Sequence, residues 1–310
     1  MKVYIRDIAY YLPEKVLTNE QLAAEFPEWS TEKIAGKVGI SERHIAAPDE
    51  TASDMAVVAA ERLLANGHDR SLIDFVLLCT QSPDYMLPSS ACLVQHRLRL
   101  STQCGALDFN LGCSGYEYGL AMAKSLIQSG VAHNVLLLTS EMYTKYLSHD
   151  DKGNRTIFSD GASATWVGSE GFAEIGECAL GTDGSGAEYL IKRPNEPLYM
   201  DGGAIFDFSS DVVPKMVEEV LQKSNMQMDD IDLWVFHQAN KYMINYIRKL
   251  LDIDKERFYI YMERVGNTVS STIPIALCAA REENKLRGNV MLAGFGVGLS
   301  WGAVLLKIDN

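Results

Sequence analysis

The feature that most constrains the fold is a pattern of short apolar strands and corners that recurs about half a chain later. The correspondences are Ile73–Asp74 with Ile231–Asp232 at an offset of 158 residues, Asn134–Val135 with Asn289–Val290 at 155, and Gly112–Cys113 with Gly266–Asn267 at 154. Because three landmarks keep their order at nearly one spacing, the sequence predicts two homologous α/β halves. We expect the first half to span residues 1–168 and to carry Cys113, and the second to span residues 169–310.

Cys113 lies where a predicted strand, residues 106–111, meets a predicted helix, and Gly112 allows a tight corner between them. Unpaired N–H groups and the positive end of the helix dipole favour a thiolate, so this position predicts a lowered pKa for the thiol. A nucleophilic thiolate is a candidate acyl acceptor. The alternative is a small buried cysteine with no chemistry, and only partners elsewhere in the chain decide between the two.

Two such partners are His237 and Asn267. Among the six histidines, His237 alone follows an apolar strand, DLWVF, at the carboxyl end where open α/β sheets present functional groups. In the predicted repeat, Asn267 occupies the corner equivalent to that of Cys113. A thiolate that takes an acyl group, with an imidazole and an amide that donate hydrogen bonds to an enolate, meets the requirements of decarboxylative carbon–carbon condensation.

Two glycine-rich strings, residues 181–186 and 294–298, have superficial similarity to dinucleotide-binding loops. The second string leads into another strand and lacks the helix that would bind a pyrophosphate. We therefore interpret it as a close backbone approach to the site. A backbone N–H of its Gly296–Gly298 turn would then form an oxyanion hole with the N–H of Cys113.

Composition excludes several classes of protein. The 310 residues are 47% hydrophobic, which is ample for a core, yet no apolar run is long enough to cross a bilayer. The six cysteines lack CxxC spacing, which argues against a zinc site or a disulfide framework and favours a reducing compartment. A formal charge of −13 disfavours nucleic acid or an anionic membrane as a partner. With no signal peptide apparent at the N-terminus, a cytoplasmic protein is expected.

These residues lie in longer strings that together resemble type III beta-ketoacyl-acyl carrier protein synthases, a family of the thiolase-like superfamily, over essentially the whole chain. The matching strings are GISERHIAAPDETASDMA (39–56), LPSSACLVQ (87–95), DFNLGCSGY (108–116), FSDGASA (158–164), HQAN (237–240), GNTVSSTIPIAL (266–277) and GFGVGLSWGA (294–303). The resemblance implies a five-layer α-β-α-β-α sandwich of duplicated halves. It also implies a homodimer without a cofactor or metal, which condenses an acyl-CoA primer with malonyl-acyl carrier protein in fatty acid or related biosynthesis.

Carried over motif by motif, the resemblance makes Cys113 the acylated nucleophile, with His237 and Asn267 holding the malonyl thioester. The N–H groups of Cys113 and Val297 would form the oxyanion hole, with Leu87 and Phe295 in the substrate pocket. Lys37, Lys241, Arg248 and Lys249 are the candidate contacts for CoA or the carrier protein.

The chain departs from the family pattern at several of these positions. Leu87 stands where a Phe often reaches into the partner subunit's acyl pocket, Val297 replaces a usual Gly, and Lys37 replaces an Arg that would bind phosphate in a bidentate manner. Asp207 and Tyr242 occupy places where basic carrier-docking residues are common. These changes leave open the primer, the carrier and the pathway.

Three alternatives to condensation follow from the same residues. A same-fold acyltransferase would pass the acyl group of Cys113 to an oxygen or nitrogen acceptor. The order Cys, His, Asn also occurs in papain-like hydrolases, although DFNLGCSGY lacks their Trp-flanked cysteine motif. A catalytically silent subunit would be expected to have lost one of the three residues, and all three are present.

Overall fold

The computed structural model describes residues 1–308, which form thirteen strands and nine α-helices. The strands are β1 (Tyr4–Tyr11), β2 (Lys15–Thr18), β3 (Glu42–Ile45), β4 (Phe75–Cys79), β5 (Gly105–Phe109), β6 (Val135–Glu141), β7 (Gly161–Gly168), β8 (Ala173–Thr182), β9 (Leu190–Ile191), β10 (Tyr199–Met200), β11 (Leu233–Phe236), β12 (Gly288–Gly296) and β13 (Ser300–Ile308). The helices are α1 (Asn19–Glu25), α2 (Thr31–Val38), α3 (Ala52–Leu64), α4 (Ser90–Arg97), α5 (Gly115–Gln128), α6 (Lys152–Arg155), α7 (Gly202–Ser224), α8 (Lys241–Leu250) and α9 (Thr272–Glu282).

The main sheet contains the same arrangement of strands twice. In the first set the order is β1-β7-β6-β4-β5, with antiparallel pairing up to β6 and parallel pairing beyond it. In the second set the order is β8-β13-β12-β11, again antiparallel up to β12, then parallel, and extended by a parallel bridge from Trp234 to Phe258. The two sets meet at only two residue pairs between β1 and β8. The boundary predicted at residue 168 falls between β7 and β8, and the division into two domains stays a prediction.

Buried side chains form three apolar clusters, which separate five layers. The first cluster packs α3 and α4 against the outer face of the first set of strands, and the second packs α7 and α8 against the outer face of the second set. The third lies between the two sets and surrounds α5 and α9. These two helices are apolar on wide faces because strands cover them from both sides. The predicted α-β-α-β-α sandwich is confirmed.

Three segments differ from what their residue pattern predicts, which is a strand over 156–167, a loop over 39–54 and a helix over 209–223. The strand predicted over 156–167 begins only at Gly161, because residues 157–159 pair with the backbone of Asn267 instead. The stretch from residue 39 to 54, predicted as loop, contains β3, whose partner β2 lies far away in the sequence. The helix predicted from residue 209 begins at Gly202, since the Asp201 side chain accepts hydrogen bonds from the first free N–H groups.

Residues 1–308 contain neither a membrane-spanning helix nor a metal-binding cluster of side chains. None of their helices combines the length and the apolar character needed to span a bilayer. Within the same residues, no three His, Cys, Asp or Glu side chains converge in a way that could hold a metal ion.

Candidate active site

Cys113 lies in the turn between β5 and α5, two residues before the first residue of the helix. Its thiol is buried, with 6% of the residue exposed. The turn requires glycine next to the cysteine, because a Cβ on Gly112 would lie 2.5 Å from Cγ1 of Val297 and 2.6 Å from Oε1 of Gln81. The N–H of Gly115 closes the turn on the carbonyl of Gly112 at 2.8 Å. The predicted strand-to-helix corner is therefore present and tightly packed.

Asn267 lies at the equivalent corner of the second half, after Gly266, whose φ of +73° suits a residue without a Cβ. The backbone N–H of Val269 donates to Oδ1 of Asn267 at 2.9 Å. On the other side of the amide, Nδ2 donates one hydrogen to the carbonyl of Ala239 at 3.4 Å. Because Oδ1 is occupied, the second N–H of Nδ2 is the group that this side chain offers to a substrate.

His237 directly follows β11, and its backbone N–H donates to the carbonyl of Ala293 at 2.8 Å. The ring nitrogen Nδ1 lies 2.7 Å from the hydroxyl of Thr272. Burial lowers the pKa of His237 to about 3, so the ring is neutral near pH 7. A neutral imidazole can donate or accept a hydrogen bond at Nε2, depending on its tautomer.

The last two residues of β12 contact both Cys113 and His237. A Cβ on Gly296 would lie 2.9 Å from Sγ of Cys113, so the end of the strand packs directly on the sulfur. The adjacent Phe295 is buried and contacts the ring of His237 edge-on, with 5.9 Å between the ring centroids. The structure therefore brings the candidate nucleophile and the candidate donor to the end of one strand.

Burial raises the pKa of the Cys113 thiol to about 12. The backbone N–H groups of Val297 and of Cys113 itself favour the thiolate and lower this pKa, but by less. The lowered pKa expected from the helix N-terminus is therefore wrong for the substrate-free protein. The helix dipole stabilises a thiolate only through the partial charges of the nearby N–H groups. Burial among the surrounding strands removes the water that would otherwise solvate the full negative charge of the thiolate.

Two buried acids near Cys113 were missed by sequence reasoning. Glu141, the last residue of β6, accepts hydrogen bonds from the backbone N–H of Gln81 and the hydroxyls of Ser82 and Ser270, and burial raises its pKa to about 8. Glu117 lies on α5, and neither of its carboxyl oxygens has a partner among residues 1–308. Burial raises the pKa of Glu117 well above its usual range, which favours the neutral form of this acid. The only sign of this burial in the sequence is that each of these acidic residues lies among apolar residues.

The remaining predicted residues lie around this site rather than in it. Leu87 belongs to an exposed loop and is 79% exposed, so within one chain it lines no pocket at Cys113. Lys37 lies beside a pocket of about 310 Å³, and its Nζ lies 5.1 Å from the ring centroid of Trp29. Lys241 and Lys249 are exposed on α8.

Arg248, the third predicted cation of α8, differs from these lysines. It donates to the carbonyl of Ile253 at 2.6 Å, just beyond the end of the helix. Its guanidinium is therefore engaged inside the chain. On the exposed face of α8, Tyr242 and Tyr246 instead pack against Phe206, with ring centroids 5.7 Å and 4.8 Å away.

Comparison with known proteins gives one consistent family. The family model described as 3-oxoacyl-[acyl-carrier-protein (ACP)] synthase III matches residues 107–184, and its C-terminal counterpart matches residues 221–308. The beta-ketoacyl-[acyl-carrier-protein] synthase III of Clostridium perfringens is 37% identical over 96% of this chain and 97% of its own length.

Solved structures agree in fold over the whole chain. A crystal structure of a 3-oxoacyl-(acyl-carrier-protein) synthase III matches with a TM-score of 0.96 and 47% identity, over 99% of this chain and 100% of that one. The corresponding enzyme of Pseudomonas aeruginosa PAO1 matches with a TM-score of 0.94 and 33% identity, over 100% and 99%. These matches show that the chain is an acyltransferase of the beta-ketoacyl-acyl carrier protein synthase III family.

Proposed function

We propose that this enzyme moves an acyl group from acyl-CoA to Cys113 and then condenses it with malonyl-acyl carrier protein, with His237 and Asn267 as the donors. The observation that carries the assignment is that the end of β12 packs against both a buried thiol and a buried imidazole. A Cβ on Gly296 would lie 2.9 Å from Sγ of Cys113, and the ring centroid of the adjacent Phe295 lies 5.9 Å from that of His237.

In the first half-reaction, the sulfur of Cys113 attacks the thioester carbonyl of the primer. A new carbon–sulfur bond forms, the bond between the acyl carbon and the CoA sulfur breaks, and the thiol proton finally resides on CoA. Negative charge develops on the carbonyl oxygen during the attack. The N–H groups of Cys113 and Val297 are proposed to stabilise that charge, which is supported by their influence on the neighbouring sulfur.

In the second half-reaction, the malonyl thioester loses carbon dioxide, and the electron pair of the broken carbon–carbon bond forms an enolate. Its oxygen would accept hydrogen bonds from Nδ2 of Asn267 and Nε2 of His237. The enolate carbon then attacks the acyl group on Cys113, the carbon–sulfur bond breaks, and the departing sulfur takes up a proton from water to regenerate the thiol. Because His237 and Asn267 are both neutral, neither changes protonation state in this step.

CoA is proposed to enter beside Trp29. The pocket of about 310 Å³ there is lined by Trp29, Lys37, Asn154 and Tyr199. An aromatic face suits a nucleobase, and the ammonium groups of Lys33 and Lys37 both lie over the Trp29 ring, at 5.4 Å and 5.1 Å, where phosphates would meet positive charge. Lys37→Glu should raise KM for acyl-CoA and leave the melting temperature unchanged.

The acyl carrier protein is proposed to dock on the exposed face of α8. Lys241 and Lys249 supply positive charge on an otherwise acidic chain, whereas Arg248 is omitted because its guanidinium binds the carbonyl of Ile253. Lys249→Glu should raise KM for malonyl-acyl carrier protein and leave KM for acyl-CoA unchanged. Equal changes in both constants would contradict this docking site.

A homodimer is proposed from the loop that carries Leu87. Tyr85, Met86 and Leu87 are consecutive and all exposed, with Met86 99% exposed, which is unusual for large apolar side chains in a monomer. Burial of this loop by a second copy would place Leu87 at the partner's site, as the family resemblance implies. Sedimentation velocity at micromolar concentration should give a dimer, and Met86→Asp should weaken it.

The deciding experiment for the function is intact-mass spectrometry of the protein incubated with a panel of acyl-CoAs. We expect a single stable acyl adduct on wild-type protein, no adduct on Cys113→Ala, and loss of the adduct with release of carbon dioxide when malonyl-acyl carrier protein is added. The exposed Cys92 provides the control for non-specific acylation, since Cys92→Ala should behave like the wild type. An adduct that ignores the malonyl carrier would contradict condensation and point to an oxygen or nitrogen acceptor.

We further propose that the enzyme works in the cytoplasm. Its six cysteines are free thiols, which suit a reducing compartment.

A further inference from the structure

Thr272, the first residue of α9, is buried beside His237 and has no role in the steps above. Its hydroxyl oxygen lies 2.7 Å from Nδ1 of His237 and 3.1 Å from the carbonyl oxygen of Val269. A hydroxyl has one hydrogen, so it donates to one of these groups at a time. The group that receives the hydrogen determines which nitrogen of the imidazole carries its own proton.

The two possible arrangements leave His237 with different chemistry. If the hydroxyl donates to Val269, Nδ1 carries the ring proton and Nε2 presents a lone pair. If the hydroxyl donates to Nδ1, Nε2 carries the proton and becomes a donor. Nε2 has no hydrogen-bond partner among residues 1–308, so it is the nitrogen left for a substrate.

Rotation of the hydroxyl towards Nδ1 leaves no buried acceptor unpaired. The carbonyl of Val269 also accepts the backbone N–H of Thr272, and this hydrogen bond persists when the side chain turns away. A thioester carbonyl can only accept, so a malonyl substrate at Nε2 selects the tautomer protonated there. In that tautomer Nδ1 needs a donor, and Thr272 is placed to supply it.

We infer that Thr272 is a positioning residue, whose hydroxyl donates to Nδ1 of His237 and holds Nε2–H as the donor for the enolate oxygen. The inference rests on the proposed function and adds the residue that sets the tautomer. The chain from Thr272 O–H through the imidazole to the enolate polarises as charge develops, so its effect is largest in the transition state. A backbone carbonyl or a carboxylate at Nδ1 would impose the opposite tautomer and make His237 a base.

The test is Thr272→Val, which keeps the shape of the side chain and removes the hydroxyl, compared with Thr272→Ser, which restores it. The matched control is Thr165→Val, because Thr165 is also buried and hydrogen-bonded, but to Tyr116 rather than to His237. Two rates are measured for each variant: acylation of Cys113 by acyl-CoA, and release of carbon dioxide from malonyl-acyl carrier protein. Long-range ¹H–¹⁵N spectra of ¹⁵N-histidine-labelled protein report the tautomer directly.

We expect Thr272→Val to lower kcat for carbon dioxide release by about 10- to 100-fold with little change in KM, the size expected for one hydrogen bond to a group that carries developing charge. Acylation of Cys113 should stay within about twofold of wild type, since it does not use the His237 donor. Thr272→Ser should recover most of the activity and the Nε2–H spectrum, and Thr165→Val should retain both rates.

Three outcomes would overturn the inference: full carbon dioxide release by Thr272→Val, an equal loss of both half-reactions, or failure of Thr272→Ser to restore the rate. A wild-type protein that acylates Cys113 but releases no carbon dioxide would instead overturn the proposed function. The two failures are therefore distinguishable in one set of measurements.

Discussion

The raised pKa of Cys113 makes a quantitative prediction about its reactivity towards a simple alkylating agent. Only the thiolate reacts with iodoacetamide, so the alkylation rate follows the thiolate fraction. Burial moves the pKa from 9.0 to about 12, which corresponds to about 4 kcal/mol against the charged form. The positive end of α5 offsets at most about 2 kcal/mol, so the neutral thiol prevails.

The expected profile follows from these values. At pH 7 about one molecule in 10⁵ carries a thiolate at Cys113, and the fraction rises about tenfold with each pH unit. The logarithm of the alkylation rate should therefore increase with a slope near one from pH 7 to pH 10, without a plateau. The thiolate that the sequence predicted from the helix N-terminus would give a plateau near neutral pH.

The assay is time-resolved intact-mass spectrometry of protein treated with iodoacetamide at each pH. Cys113→Ala measures alkylation at the other thiols, including the exposed Cys92, and its contribution is subtracted. Access to the sulfur is constant across the series, so the slope reports ionisation rather than burial. A rate that levels off between pH 7 and pH 8 would refute the argument that desolvation exceeds the effect of the dipole.

Other predictions concern packing, buried acids and the histidine. Gly296→Ala should slow acylation of Cys113 by about fivefold or more, because overpacking against the sulfur costs about 1–3 kcal/mol. Gly184→Ala, whose new Cβ meets open space, should be acylated at the wild-type rate in the same intact-mass assay. Glu117→Met should raise the free energy of unfolding by about 1–3 kcal/mol at pH 8 and by less at pH 5. The reason is that burial raises the pKa of this carboxyl, so the folded wild type loses stability as pH rises above 4.5. A lower melting temperature of the variant at pH 8 would contradict this prediction. Carbon dioxide release should show no acid limb near pH 6.5, since the pKa of His237 is lowered to about 3, and a half-maximal rate at pH 6.5 would contradict a neutral donor.

The fold was predictable because short apolar segments mark its strands and because these segments recur in the second half of the chain. Short apolar runs such as Phe75–Cys79 and Leu233–Phe236 mark buried strands, and their recurrence at one spacing predicted the paired halves that the strand order contains. The corners that carry Cys113 and Asn267 were predictable for the same reason, since a glycine before a polar residue at a strand end is visible in the sequence.

What escaped prediction depends on contacts between distant segments. The ionisation of Cys113 reflects desolvation by strands of both halves, whereas the helix dipole that the sequence revealed is a local effect. Thr272 and His237 lie 35 positions apart, and no pattern in the residues around either of them predicts the hydrogen bond between them. Arg248 occupies an exposed-looking helical position, but the carbonyl of Ile253 after the helix end binds its guanidinium. Burial of Glu117 was hidden because glutamate is an ordinary helix former.

The neutral states of the site residues explain how a buried site can support acyl transfer and decarboxylative condensation. At neutral pH, burial keeps Cys113, His237 and Glu117 uncharged, and Asn267 has no charge to lose. Negative charge then appears only while bonds change, on the carbonyl oxygen during acyl transfer and on the enolate oxygen during decarboxylation. Fixed N–H groups are worth most in such a site, because they need no reorganisation and compete with little water.

The two reactions of Cys113, alkylation by iodoacetamide and acylation by a thioester, should therefore depend differently on pH. Alkylation by iodoacetamide develops no oxyanion that the N–H groups of Cys113 and Val297 could stabilise, so its rate reflects the net penalty of forming a buried thiolate. Acylation by a thioester develops its charge on an oxygen that those N–H groups can stabilise, and the thiol proton can leave as the leaving group accepts it. We therefore expect acylation to remain fast at pH 7, where alkylation is slow. If the rate of acylation instead fell with pH in parallel with the rate of alkylation, acylation would also require prior formation of the buried thiolate, and the proposed neutral site would be wrong.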